Sequence, residues 1–80
     1  MSEKPPLELI VDLVVEMARV ERQYVQPGSR FIDFGIDSAR AMEVVVDLEE
    51  TYAVSIPDQD LADLKTIQDL ATYIERRQAS

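Results

Sequence analysis

Leu7, Ile10, Val11, Val14, Met17 and Ala18 recur at steps of three and four residues, while Asp12 and Glu16 fall on the opposite side. That period predicts an amphipathic helix from Leu7 to about Arg22, with Pro6 at its start, where a missing N–H is tolerated. Residues Met1–Pro6 read as a flexible lead. The stretch Gln23–Asp37 combines the turn signal Pro27-Gly28-Ser29 with Phe31, Ile32, Phe34 and Ile36, which are too apolar to be left in water. It predicts a long loop packed onto the core. Asp37 is a good N-cap for a second helix, Ser38–Tyr52. Ala41, Val45, Leu48 and Tyr52 line one stripe of it, and Ala39, Glu43, Val46 and Glu50 the other. Val44-Val45-Val46 favours a strand by propensity, but the flanking residues favour helix. Ala53–Pro57 alternates like a strand without a partner to pair with, and reads as an extended connector. Asp58 is placed as the cap of a short helical turn running to Leu64. Thr66-Ile67-Gln68-Asp69 resembles a capping box with aspartate replacing glutamate. It opens a last helix, Ile67–Arg77, which buries Ile67, Leu70, Ala71 and Ile74 and places Arg76 and Arg77 at its negative end. The expected architecture is all-α: three longer helices, one short helix and a long first loop over residues 7–77, with a flexible tail at 78–80.

Eighty residues support one core, because a chain this short buries only about 60 % of the surface it exposes when unfolded. Eight basic and sixteen acidic residues leave a net charge of -8, which repels nucleic acid and anionic lipid and points to protein partners with basic patches. The absence of cysteine removes disulfides and thiolate metal sites and fits a cytoplasmic location. The absence of histidine removes the commonest general base and metal ligand, so the composition argues against an autonomous enzyme and no metal site is expected. No apolar run approaches the roughly 20 residues that span a bilayer, and Met1–Pro6 lacks the pattern of a leader peptide. A soluble, unprocessed monomer is expected.

Ser38 stands out physically. It comes directly after the capping Asp37 in the first turn of a helix, where unpaired N–H groups and the helix dipole favour a phosphate ester on its oxygen. From position alone it also fits an ordinary polar residue at a helix start.

The run Phe31-Ile32-Asp33-Phe34-Gly35-Ile36-Asp37-Ser38 closely resembles the attachment signature of the acyl carrier protein family. Val45-Val46-Asp47-Leu48-Glu49-Glu50, Ile56-Pro57-Asp58 and Leu64-Lys65-Thr66-Ile67-Gln68-Asp69-Leu70 match the family's later landmarks in order, so the resemblance covers nearly the whole chain. It implies a four-helix bundle of acyl-carrier-protein type whose Ser38 receives 4'-phosphopantetheine from coenzyme A through a magnesium-dependent phosphopantetheinyl transferase. The arm's thiol then holds acyl cargo, which accounts for a chain lacking reactive sulfur of its own. Asp37 either simply caps the helix or also helps hold magnesium in the transferase complex. Gly35 is expected as a turn residue with positive φ.

On such a fold the acidic side of the second helix flanks the arm. Ala39, Arg40, Met42, Glu43, Val46, Asp47, Glu49, Glu50 and Asp58 are the expected docking residues. The partners implied are the transferase, an acyl-loading ligase or acyltransferase, and a ketosynthase or similar enzyme with a basic patch. The family commonly has leucine after the serine and, in fatty-acid carriers, an acid next; this chain has Ala39 and Arg40. Those departures argue against fatty-acid synthesis and favour a stand-alone carrier for polyketide, nonribosomal peptide or related specialised biosynthesis; a peptidyl or aminoacyl carrier and a fatty-acid-synthesis carrier are the alternatives to the polyketide reading. The alternative of another class is an arm-free acidic interaction module.

Overall fold

The computed structural model describes residues 4–79; Met1–Glu3 of the expected Met1–Pro6 lead and Ser80 of the expected 78–80 tail lie outside the described residues. Helix α1 spans Pro6–Ala18, with Pro5 before it and Pro6 in its first turn. It stops short of Arg22 because Arg19 takes a left-handed conformation, φ 55°, and returns its N–H to the Val15 carbonyl. Neither glycine nor asparagine marks that stop, so periodicity alone overshoots it. Beyond it, Val20 packs against the core, and Arg22, in a 3₁₀ turn over Arg22–Tyr24, bonds back to Asp12.

Helix α2 runs Ser38–Tyr52 as the pattern predicts, burying Val44, Val45, Leu48 and Tyr52. Val44 joins the expected stripe, so the valine triplet supplies two core residues without interrupting the helix. Helix α3 is shorter than expected, Asp58–Leu61. Asp58 is its first residue and not its cap: Pro57 occupies that place, and its carbonyl accepts the N–H groups of Asp60 and Leu61. The chain then leaves the helix through tighter turn bonds, from Asp63 to Asp60 and from Leu64 to Leu61. Helix α4 spans Ile67–Ala79, so Gln78 and Ala79, both compatible with helix, extend it past Arg77. The aspartate version of the capping box forms: Thr66 N–H donates to Asp69 Oδ2 at 3.2 Å, and Asp69 N–H donates to Thr66 Oγ1 at 3.0 Å.

The first loop is fastened to the start of α4. Ser29 and Pro27 carbonyls accept the N–H groups of Ile67 and Gln68 at 3.0 and 2.8 Å, and Arg30 and Thr66 form an isolated antiparallel bridge. Amides that the helix itself leaves unsatisfied are thereby paired. Phe31 and Ile36 from this loop are buried, as expected, and Val25 joins them, but Ile32 is 68 % exposed. In the 3₁₀ turn Phe31–Phe34, side chains three apart share an edge, so Phe31 and Phe34 face inward and Ile32 faces out.

The core closes where α1 packs along α4, with Ile10, Val14, Leu48, Ile67, Ala71 and Ile74 fully buried. Each large apolar side chain buried there contributes roughly 1.5–3 kcal/mol, against about 0–1 kcal/mol for a surface ion pair, so apolar packing carries the fold. Among the described residues, no helix is long and apolar enough to cross a membrane.

Two carboxylates are gripped firmly. Hydrogen bonds from Lys4, at 2.6 Å, and from Arg22 hold Asp12 below its ordinary pKa. The N–H groups of Thr66 and Lys65 do the same for Asp69. The folded protein therefore binds these protons less tightly than the unfolded chain does. Their stabilisation is present above the unfolded values near about pH 4 and is lost as pH falls through the lower folded values. We expect the urea midpoint to drop on acidification through that window, and the combined Asp12→Asn and Asp69→Asn variant to flatten the drop. An unchanged slope in that variant would show that other groups dominate.

Candidate functional site

Gly35 ends the 3₁₀ turn with φ 74°, the left-handed conformation that glycine adopts without strain. Its reversal sends Ile36 into the core, 2 % exposed, and brings Asp37 and Ser38 to the surface. Asp37 is the N-cap of α2, its Oδ1 accepting the Arg40 N–H at 2.9 Å, while its carbonyl accepts the Ala41 N–H at 2.8 Å. Ser38 is the first residue of α2 and is exposed. Its hydroxyl thus sits at the positive end of a helix of 15 residues, where backbone N–H groups favour an anion.

Beside Ser38 lies an open groove of about 690 Å³, walled by α2, α3 and the first loop. Ile36, Ala41, Val45, Leu61, Leu64 and Leu70 give it an apolar lining. Ile32 and Met42 stand at the same groove and remain exposed, Met42 at 38 %. Val46, one helical turn beyond Met42, is 44 % exposed. An exposed serine, first-turn amides that suit a phosphate, and an adjoining groove fit a phosphoester-linked arm.

Most of the residues singled out by sequence share this side. Ala39, Glu43, Val46, Asp47 and Glu50 are exposed on α2, and Asp58 lines the groove from α3. Two are placed otherwise. Glu49 turns towards the connector, where its Oε2 accepts the Ile56 N–H at 2.8 Å, so it does not join the acidic row. Arg40 reaches across to α1, its guanidinium donating to the Met17 carbonyl at 3.4 Å. That carbonyl lies at the negative end of α1, which attracts the cation. Sequence reasoning misses Ile32, Arg30 and Lys65 as site residues, although all three line the groove or its rim. The 3₁₀ phase of Phe31–Phe34 is the signal for Ile32; Arg30 and Lys65 come together only through the loop-to-α4 bridge.

A family model described as a phosphopantetheine attachment site matches residues 8–74. The chain belongs to this family of phosphopantetheine-binding carrier proteins. Among this carrier's relatives, the acyl carrier protein of Thermobifida fusca is 38 % identical over 76 residues, covering 94 % of this chain and 96 % of the relative. That of Bdellovibrio bacteriovorus is 39 % identical over 69 residues, covering 85 % and 88 %. The meromycolate extension acyl carrier protein of Mycobacterium leprae is 38 % identical over 68 residues, covering 84 % of this chain; the matched segment is 59 % of that relative's length. A solved free-standing peptidyl carrier protein from an uncharacterized secondary metabolic pathway of Acinetobacter baumannii superposes with a TM-score of 0.76. It is 32 % identical, with 89 % of each chain covered. The four-helix carrier architecture expected from the sequence is thus the one observed.

Proposed function

We propose that Ser38 is the residue that carries 4'-phosphopantetheine and that this protein presents acyl intermediates on that arm to biosynthetic enzymes. One observation carries the assignment: an exposed serine in the first turn of α2, opening onto the groove that α2 and α3 share. The arm's thiol supplies the thioester linkage to the cargo; the protein supplies attachment and recognition. The Ser38 oxygen is the nucleophile towards the pantetheine-side phosphorus of coenzyme A; the new phosphoester forms as the diphosphate P–O–P bond breaks and adenosine 3',5'-bisphosphate leaves. Asp37 Oδ1 accepts the Arg40 N–H in capping α2, and the base that takes the serine proton is assigned to the transferase. Asp37 thereby holds the helix start that presents Ser38.

Glu43, Asp47 and Glu50 form a row for basic partner surfaces, with Ala39, Met42 and Val46 as the apolar contacts between them. Transferase, acyl-loading enzyme and condensing enzyme would engage this face in turn. Ala39 offers partners only a small apolar contact, and Arg40, its guanidinium turned to the Met17 carbonyl, adds no acid to this face; these are the features behind assignment to polyketide or related specialised biosynthesis. The likeness to a peptidyl carrier supports a second reading, an aminoacyl cargo.

The test is intact mass after incubation with coenzyme A, magnesium and a broad-specificity phosphopantetheinyl transferase. A single phosphopantetheine on the peptide containing Ser38 is expected. Modification at Ser29 or Ser55 would refute the site, and no modification by any transferase would favour the arm-free interaction module.

A further inference from the structure

The groove beside Ser38 is lined by charged as well as apolar residues. Arg30 and Lys65 both line it, from the first loop and from the residue preceding the Thr66 cap. The Arg30–Thr66 bridge brings these two segments together, so the pairing is built by the backbone. Among the described residues neither side chain makes an ion pair: the ion pairs formed are Lys4–Asp12, Arg22–Asp12 and Arg77–Asp60. A chain with eight basic and sixteen acidic residues thus directs two of its cations to one groove and leaves them without carboxylate partners among the described residues.

Asp37 and Asp58 line the same groove and oppose an anion there. Asp37 is engaged at the α2 N-terminus, where its Oδ1 accepts a backbone N–H. Asp58 stands on α3, the wall across from Ser38's helix, whereas Arg30 and Lys65 stand at the loop-to-α4 junction. The groove therefore has an apolar stretch, acids at its two helix starts, and cations at the bridge.

Resting on the assignment of Ser38 as the attachment site, we propose that this groove selects acyl chains ending in a carboxylate. The methylenes lie on the apolar lining, and Arg30 and Lys65 take the terminal anion. The guanidinium offers paired N–H donors to a carboxylate, and the ammonium adds a second charge.

The test loads the protein with hexanoyl- and adipoyl-phosphopantetheine from the matching coenzyme A thioesters. The two acyl groups are equal in length and differ in the terminal carboxylate. Loading is verified by intact mass, and the unacylated arm serves as reference. We expect the adipoyl form to melt roughly 3–6 °C above the hexanoyl form at low salt, with the gap shrinking at high salt. Amide shifts at Arg30 and Lys65 should differ between the two forms. The double variant Arg30→Gln with Lys65→Gln should abolish the gap, compared on protein whose complete loading is verified by intact mass. A hexanoyl form as stable as the adipoyl form, or a gap that survives the double variant, would overturn the proposal. So would a double variant that destabilises the unacylated form as much as the adipoyl one, because the pair would then be holding the arm's own phosphate. Failure to load at all refutes the attachment assignment, an outcome the mass measurement separates from the others.

Discussion

Replacing Ser38 by alanine is expected to abolish phosphopantetheine transfer completely while leaving the melting curve nearly unmoved. The two effects separate because the hydroxyl and the fold depend on different atoms. Asp37, not Ser38, caps α2, and its bond to the Arg40 N–H survives the substitution. Ser38 is exposed at the first helical position, where alanine is at least as good a helix former, so the stability change should stay within about 0.5 kcal/mol. Intact mass after prolonged exposure to coenzyme A and a transferase reads the first effect, and circular dichroism against temperature reads the second. Residual modification in the variant would assign the arm to another hydroxyl. Lost modification accompanied by lost helix would mean that the serine is structural. Ser38→Thr provides a further check: it keeps a hydroxyl but adds a methyl at the carbon bearing it, so slower transfer with an intact fold is expected.

Ile74→Ala should have the opposite profile, a severe loss of stability without removal of any group at the attachment site. Ile74 is fully buried on α4, in the layer where that helix packs along α1. Truncating it removes apolar contact and leaves a cavity, which costs about 2–5 kcal/mol in a well-packed core. A domain of this size has a total stability of only about 4–12 kcal/mol. The melting temperature should therefore fall by roughly 10–40 °C, whereas Glu75→Ala, one residue along and exposed, should barely move it. Equal small effects for the two would mean that the α1–α4 layer is not the centre of the core. Below its lowered melting temperature the Ile74 variant should still accept the arm, because α2 and its cap do not depend on that side chain directly.

The helices were legible where one residue type acts locally. Asp37 caps α2 through its own side chain, Thr66 and Asp69 close a box across a single turn, and Gly35 reverses the chain because it lacks a Cβ. The stripes Ala41, Val45, Leu48 and Ile67, Leu70, Ala71, Ile74 recur with the helical period, so their inward direction comes from spacing. Ser38 and its motif belong to this class, since position after a cap is a property of the sequence.

What tertiary structure decided depends on partners distant in the chain. Helix α1 ends at Ala18 with a left-handed Arg19, beyond which Val20 packs against the core and Arg22 bonds back to Asp12, and no local residue type announces that turn. Ile32 looks like its buried neighbours and lies outside because a 3₁₀ turn has a different phase from the α-helix. Glu49 and Arg40 group by sequence with the exposed face of α2, yet one carboxylate is drawn to Ile56 and one guanidinium to Met17. Arg30 and Lys65 meet at one groove only because the first loop pairs with the start of α4. Periodicity within a helix tells which side is apolar; where a polar side chain on the other side ends up depends on backbone donors and acceptors that folding alone brings near.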